Sequence, residues 1–312
     1  MKYIRDYKEG DRISDIYLCK NKHSAVTRNG KAYDNLVLLD KTGVIDAKVW
    51  DPNSAGIEDY DILDYVEVFG DVTSFNGALQ FNIKRIRKCR EGEYDPSDYM
   101  PTSPFNIDDM WKELMGFIDS ITEPHLKMLL EYFFKDEEFA KIFKASSAAK
   151  SIHHSFVGGL LQHTLAVARI CDYLASRYYR INRDLLITAA ICHDIGKTRE
   201  ISLYPQNDYT DAGQYLGHIV IGVEMVGEAI RGIDGFPEAL SQELKHCILS
   251  HHGEYEFGSP KKPAIIEAVA LSYADNTDAK LEAFTEILED STESGWMGFN
   301  RIFDSNIHRT QI

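Results

Sequence analysis

The sequence predicts an α+β chain in two parts, a small N-terminal β-barrel followed by an all-α domain. Three observations predict it. Residues 12–88 read as short runs rich in β-branched and aromatic residues, separated by tight turns. Beyond residue 106 the apolar residues recur at helical spacing instead. The charge also changes along the chain: residues 1–90 carry 15 Lys/Arg and 14 Asp/Glu, whereas the remainder carries 19 and 35.

The strand reading rests on three segments. RISDIYLCKNKHSAV is a partly alternating run, and KAYDNLVLLDKTGVIDAKVW reads as two strands joined at Asp40-Lys41-Thr42-Gly43. DYVEVFGDVTSFNGALQFNIKRIRK repeats the form, with Asn76-Gly77 as a hairpin signal between two β-rich runs. Several strands closed by tight turns within about 80 residues suggest a small barrel. With the phrase LLDKTGVIDAKVW, this spacing resembles the nucleic-acid-binding OB-fold. That resemblance makes Tyr33, Trp50, Phe75 and Phe81 candidates to stack on unpaired bases, and Lys84, Arg85, Arg87, Lys88 and Arg90 candidates to track the backbone. The same aromatics suit a barrel core, and a solvated strand would carry the same cations.

Residues 91–106, EGEYDPSDYMPTSPFN, read as a Pro/Ser/Asp-rich linker between a barrel at 1–90 and helices beyond. Residues 107–150 form a helical connector: IDDMWKELMGFIDSI, HLKMLLEYFFKD and EEFAKIFKA are amphipathic, and Asn106 is the expected cap of the first. Helices continue through a second domain at 151–290, and 291–312 reads as a short, partly ordered tail.

Composition excludes several classes. A net charge of −15 argues against coating nucleic acid by bulk electrostatics. No apolar run approaches the roughly 18 residues needed to cross a bilayer, and the charged opening MKYIRDYKEGDRISDIY has no signal-peptide core. Five cysteines without a CxxC pair fit free thiols in a reducing cytoplasm.

The histidines carry the chemistry. Eight of the 11 lie between 153 and 252. His163 interrupts the apolar face Leu160, Leu161, Leu165, Ala168 and Leu174; His193 and Asp194 end DLLITAAICHD; His218 opens GHIVIGVEMVGEAI; His251 and His252 end ELKHCILSHH; Asp275 sits inside AIIEAVALSYADNTDAK. One histidine on an apolar face is more often a hydrogen-bonded core residue. This many ionisable groups at element ends would cost several kcal/mol (roughly) to bury without a compensating cation. A site for divalent metal is the economical explanation, because imidazole and carboxylate suit such ions.

The order His163 … His193-Asp194 … His218 … His251-His252 … Asp275, with HDIGK, resembles the two-metal branch of the HD superfamily of metal-dependent phosphohydrolases, over roughly residues 150–285. The resemblance implies one metal on His163, His193, Asp194 and Asp275, and a second on His218, His251 and His252, with Asp194 bridging. It implies attack on phosphorus by a water or hydroxide held between the metals, which Mn²⁺, Fe²⁺, Co²⁺ or Zn²⁺ could supply, Mn²⁺ being expected. Lys197, one helical turn past Asp194, is the natural cation for a phosphate oxygen, although a lysine there would also suit a helix C-terminus. Family members of this kind commonly carry a histidine where IHHSF stands, making His154 a candidate substrate contact. His23, His125, His246 and His308 are expected to be non-functional.

Barrel, helical connector and HD domain in this order resemble the YhaM-type bacterial exoribonucleases, through IHHSFVGGLLQHT, AAICHDIGK and SYADNTDAK. The implied function is trimming of single-stranded RNA from its 3′ end, with release of nucleoside monophosphates. Single-stranded DNA is the second expected partner, no membrane is expected, and a homo-oligomer is left open. Two alternatives stand. A cyclic-dinucleotide or nucleotide phosphohydrolase shares HDIGK, but its GYP motif is absent and only LYPQ occurs at 203–206. A non-catalytic nucleic-acid-binding protein would have no reason to retain every metal position.

Overall fold

The computed structural model describes residues 2–27, 29–75, 77–95, 98–150, 155–289 and 294–310. The chain divides into two units, Met1–Thr102 with Leu203–Asp208, and Ser103–Ser202 with Tyr209–Ile312.

In the first unit β1 (Arg12–Val26), β2 (Ala32–Asp40), β3 (Gly43–Val49), β4 (Tyr65–Phe75) and β5 (Ala78–Lys88) close into a barrel of order β1-β2-β3-β5-β4. Strand β1 has 15 residues and pairs twice, Arg12–Leu18 with β4 and Leu18–Val26 with β2, shifting register between Cys19 and Asn21. The parallel pair β3–β5 completes the closure and leaves no free edge. This is an OB-like barrel, as expected. Inward residues from every strand, among them Tyr17, Leu36, Val49, Val68 and Phe81, fill the core. Phe81 is wholly buried, so the core wins it and it is unavailable as a base platform.

Local chemistry sets the turns. The Asp40 carboxylate accepts hydrogen bonds from Thr42 N at 2.7 Å and Thr42 Oγ1 at 2.6 Å, which bends the chain between β2 and β3. Phe75 pairs with Ala78, leaving two residues to turn; Gly77 takes φ +82°, and Asn76 lies outside the described residues. A register shift at Phe69/Gly70 puts Phe69 opposite Arg85 but Gly70 opposite Ile83. Lys84 is therefore the extra residue of a bulge, and both Lys84 and Arg85 reach solvent.

The second unit is helical: α1 (Ile107–Asp119), α2 (Pro124–Phe134), α3 (Glu137–Ala145), α4 (Gly159–Arg177), α5 (Arg183–Cys192), α6 (Lys197–Glu200), α7 (Asp211–Arg231), α8 (Glu238–Ser250) and α9 (Ile266–Glu289). Asn106 caps α1, accepting from the amides of Asp108 and Asp109. Helix α5 is buried continuously from Leu185 to Cys192, surrounded by α2, α4, α8 and α9. The residues expected as a tail include an antiparallel pair, β6 (Trp296–Asn300) with β7 (Ser305–His308). Among the described residues no helix is long and apolar enough to cross a membrane.

Candidate metal centre

Five helical elements deliver the predicted ligands. His163 projects from the buried face of α4, His193 and Asp194 continue from the end of α5, and His218 lies within α7. His251 and His252 follow the last turn of α8, and Asp275 lies in α9. His193, Asp194 and His251 are at most 2% exposed.

The side chains converge in two groups, His163–His193–Asp275 and His218–His251–His252, each with donor atoms within 4.8 Å of one another. Asp194 stands between them. Its Oδ2 lies 3.3 Å from His163 Nε2 and 3.4 Å from His193 Nε2; its Oδ1 lies 3.4 Å from His218 Nε2 and 3.7 Å from His251 Nε2. Each oxygen thus addresses a different group. Asp275 Oδ1 completes the first at 3.2 Å from His163 Nε2.

The imidazoles are aimed by what their other nitrogens hold. The Nδ1 of His193, His251 and His252 lies 2.7–2.8 Å from the carbonyls of Ala190, Ile248 and Phe257. A carbonyl can only accept, so Nδ1 donates and Nε2 turns a lone pair inward. His163 Nδ1 meets Asp278 at 2.7 Å, and His218 Nδ1 meets Glu200 at 3.1 Å. Asp278 and Glu200 were missed in the sequence; a carboxylate one helical turn beyond Asp275, and another beyond Lys197, was the available signal. Glu200 also accepts from the backbone N–H of His218 at 2.9 Å. It does so where Gly217, at φ +72°, breaks α7 and exposes that amide.

Asp194 Oδ1, His218 Nε2 and His251 Nε2 are buried without a hydrogen-bond partner. Each such atom costs roughly 1–3 kcal/mol, and the three face one another across the Asp194 Oδ1 side. A cation satisfies all of them at once. Burial resists protonation of His163, yet the carboxylates of Asp194, Asp275 and Asp278 raise its pKa well above the usual value. Burial drives that of His251 well below it, a preference for the neutral, metal-ligating form. The donor set of five imidazoles and two carboxylates fits divalent cations.

The groups open on a cavity of about 300 Å³ whose wall includes His163, Lys197, His251, His252 and Asp275. Lys197 points into it with Nζ 2.6 Å from Asp194 Oδ2. Gly196 stands immediately before α6 in right-handed backbone. Its φ is −63°, and a Cβ there would come 2.0 Å from the His218 carbonyl, so glycine is required by the close approach to α7. His154 lies outside the described residues. His246 accepts from Ala264 N at 2.9 Å, consistent with a structural part.

The predicted barrel contacts divide. Trp50 and Phe75 are exposed, and Trp50 stacks on half-buried Tyr33 with centroids 5.4 Å apart. The cations are already engaged: Lys84 pairs with Asp71, Arg87 with Glu67 and Glu93 at 2.6 and 2.8 Å, and Lys88 with Asp64. Arg85 lies over the Phe69 ring at 4.6 Å. The run that stands out as basic in sequence is locally neutralised in the fold: Glu67 lies directly across from Arg87, Asp71 comes from elsewhere in β4, and Asp64 and Glu93 come from the segments before β4 and after β5.

The family model for the HD domain matches residues 160–280. The chain is 36% identical over 291 residues to the 3′-5′ exoribonuclease YhaM of Geobacillus sp. (strain WCH70), covering 92% of this chain and 88% of that protein. It is 34% identical over 291 residues to the 3′-5′ exoribonuclease YhaM of Listeria innocua serovar 6a, covering 92% and 91%. Among solved structures, the second OB-fold domain of replication protein A from Methanococcus maripaludis aligns with 30% of this chain and 98% of its own, at 16% identity and a TM-score of 0.25.

Proposed function

The chain belongs to the YhaM family of 3′-5′ exoribonucleases and contains an HD domain, and from that premise we propose how its own residues carry out the reaction. The substrate is single-stranded RNA, shortened from its 3′ end with release of nucleoside monophosphates. His163, His193, Asp194 and Asp275 hold one divalent cation; His218, His251 and His252 hold the second, with Asp194 shared. The single observation that carries this reading is the division of Asp194, one oxygen facing each histidine group.

When bound, the cations lower the pKa of water and stabilise the entering and leaving oxygens of the phosphodiester. Mn²⁺ is the proposed ion. Asp278 and Glu200 fix the rings of His163 and His218. Lys197, in the cavity wall, exchanges its Asp194 partner for a non-bridging phosphate oxygen, and His154 is retained as a further substrate contact. The buried helix α5 carries His193 and Asp194 into the low-dielectric interior, which strengthens their electrostatic contacts.

Residues 1–90 are assigned to holding the RNA and 151–290 to hydrolysis. On the barrel, Tyr33, Trp50 and Phe75 offer faces to bases, while Lys84, Arg85 and Arg87 lie along the backbone path. The free, buried cysteines suit a cytoplasmic protein. The test is direct: with Mn²⁺, the protein shortens a 5′-labelled single-stranded RNA stepwise, and chelation stops it. Intact RNA beside rapid hydrolysis of a cyclic dinucleotide would overturn the assignment.

A further inference from the structure

A second cavity, of about 360 Å³, adjoins the metal cavity and shares His252, Phe257 and Asn276 with it. One wall is a single face of α9. Val269, Ser272, Tyr273 and Asn276 follow at intervals of three, one and three residues, and Asp275 lies beside the last. From Asn276 back to Val269 is seven residues, about 10 Å along a helix, the span of one nucleoside rather than a run of them. The volume lies at the lower end of small-ligand sites, about 300–1,000 Å³.

The opposite wall is the loop after α8. It is tied to the metal centre, because the Phe257 carbonyl accepts from His252 Nδ1 at 2.8 Å and Glu254 N donates to the His252 carbonyl at 3.0 Å. The Phe257 ring is 67% exposed and the Tyr273 ring 69%, although both border the cavity. Large rings left in solvent beside a polar catalytic cavity cost hydration free energy that a stacked partner recovers. Lys262 pairs with Glu254 in the part of the wall that the metal cavity does not share. That part of the wall is therefore close to neutral and presents no unpaired cation to a further phosphate.

We propose that this second cavity is the subsite for the 3′-terminal nucleoside, its base held between Phe257 and Tyr273 while the scissile phosphate lies over the two histidine groups. The inference rests on the exoribonuclease reading and adds to it a structural reason for cutting one residue at a time: the cavity beyond the metal centre matches one nucleoside in length and volume. Stacking tolerates any base, since each has a π face, so the subsite would accept all four.

The test measures binding as well as turnover. AMP and inorganic phosphate are titrated calorimetrically into the full-length, Mn²⁺-loaded protein and into Phe257→Ala, Tyr273→Ala and Phe257→Tyr. Each alanine variant is expected to weaken AMP about 10-fold, with a parallel rise in KM for RNA. Phosphate affinity and bound metal should stay at wild-type values, and Phe257→Tyr should keep AMP affinity. Because both rings are exposed, the fold does not depend on them, and unchanged phosphate binding checks that. Equal losses for AMP and phosphate, or wild-type AMP affinity in both alanine variants, overturn the subsite even if RNA is still shortened. Intact RNA with wild-type protein defeats the exoribonuclease reading instead, and selective loss of AMP binding would then still identify a nucleoside site.

Discussion

At the metal centre the ionisable groups are buried and three of their polar atoms have no hydrogen-bond partner; on the barrel Lys84, Arg87 and Lys88 reach solvent and are already matched with acids. The two regions use charge in opposite ways. Buried, unsatisfied atoms held at the ends of α5 and α8 and within α7 are preorganised for a ligand and pay little to receive it. Exposed pairs on a solvated strand contribute little to stability and present little net field. Catalytic loss should therefore be concentrated in a few residues, and RNA affinity should depend on stacking more than on the basic run.

The largest effect is expected at Asp194, the one carboxylate that faces both groups. Asp194→Asn preserves the shape but removes the charge, so both cations lose their shared ligand. Turnover should fall by on the order of 10³-fold or more. Metal analysis should find fewer than two ions per chain, with helical content retained by circular dichroism. An Asn variant that still binds two ions would break the contrast, because the centre would then not depend on its buried charge.

How far each region was legible in the sequence follows from the same contrast. His163, His193, Asp194, His218, His251, His252 and Asp275 interrupt or end apolar helices, and hydrophobic periodicity makes such interruptions conspicuous. The structure brings all seven together. The carboxylates behind them were less visible: Asp278 and Glu200 look like ordinary solvated acids until α4 and the break at Gly217 bring histidines against them. On the barrel, strand number and the two tight turns were readable from local chemistry. Which aromatics face out was not. Phe81 and Phe75 sit in similar β-rich runs, and only the register of the closed barrel buries the first and exposes the second. Ion pairing of Lys84 and Arg87 is likewise a product of the β4–β5 pairing, invisible along the chain.

A smaller effect, which sharpens the description of the centre, is expected one step outside it. Asp278→Asn should weaken metal binding by about 10–100-fold through His163, and Glu200→Gln should do the same through His218. The two losses should fall on different ions, read as two separable steps in a metal titration. If both variants weakened one ion only, the division of Asp194 between two groups would be wrong.

The smallest effects belong to the barrel, where they decide between stacking and charge. Trp50→Ala removes an exposed ring that lies against Tyr33 and donates through Nε1 to Asn82 at 3.0 Å. If single-stranded RNA stacks there, affinity should fall by about 1–3 kcal/mol at any salt concentration. Arg87→Ala removes a cation already shared between Glu67 and Glu93. Its loss should weaken binding less than about 3-fold, and should flatten the dependence of log K on log salt by less than the ~0.7 expected for a full phosphate contact on a single strand. Hydrolysis of a small phosphodiester should be unchanged in both variants, since neither residue belongs to the metal-ligand set. A salt-dependent loss at Arg87 larger than the loss at Trp50 would reverse the order, and would mean that RNA displaces Glu67 and Glu93 and releases the basic strand for use.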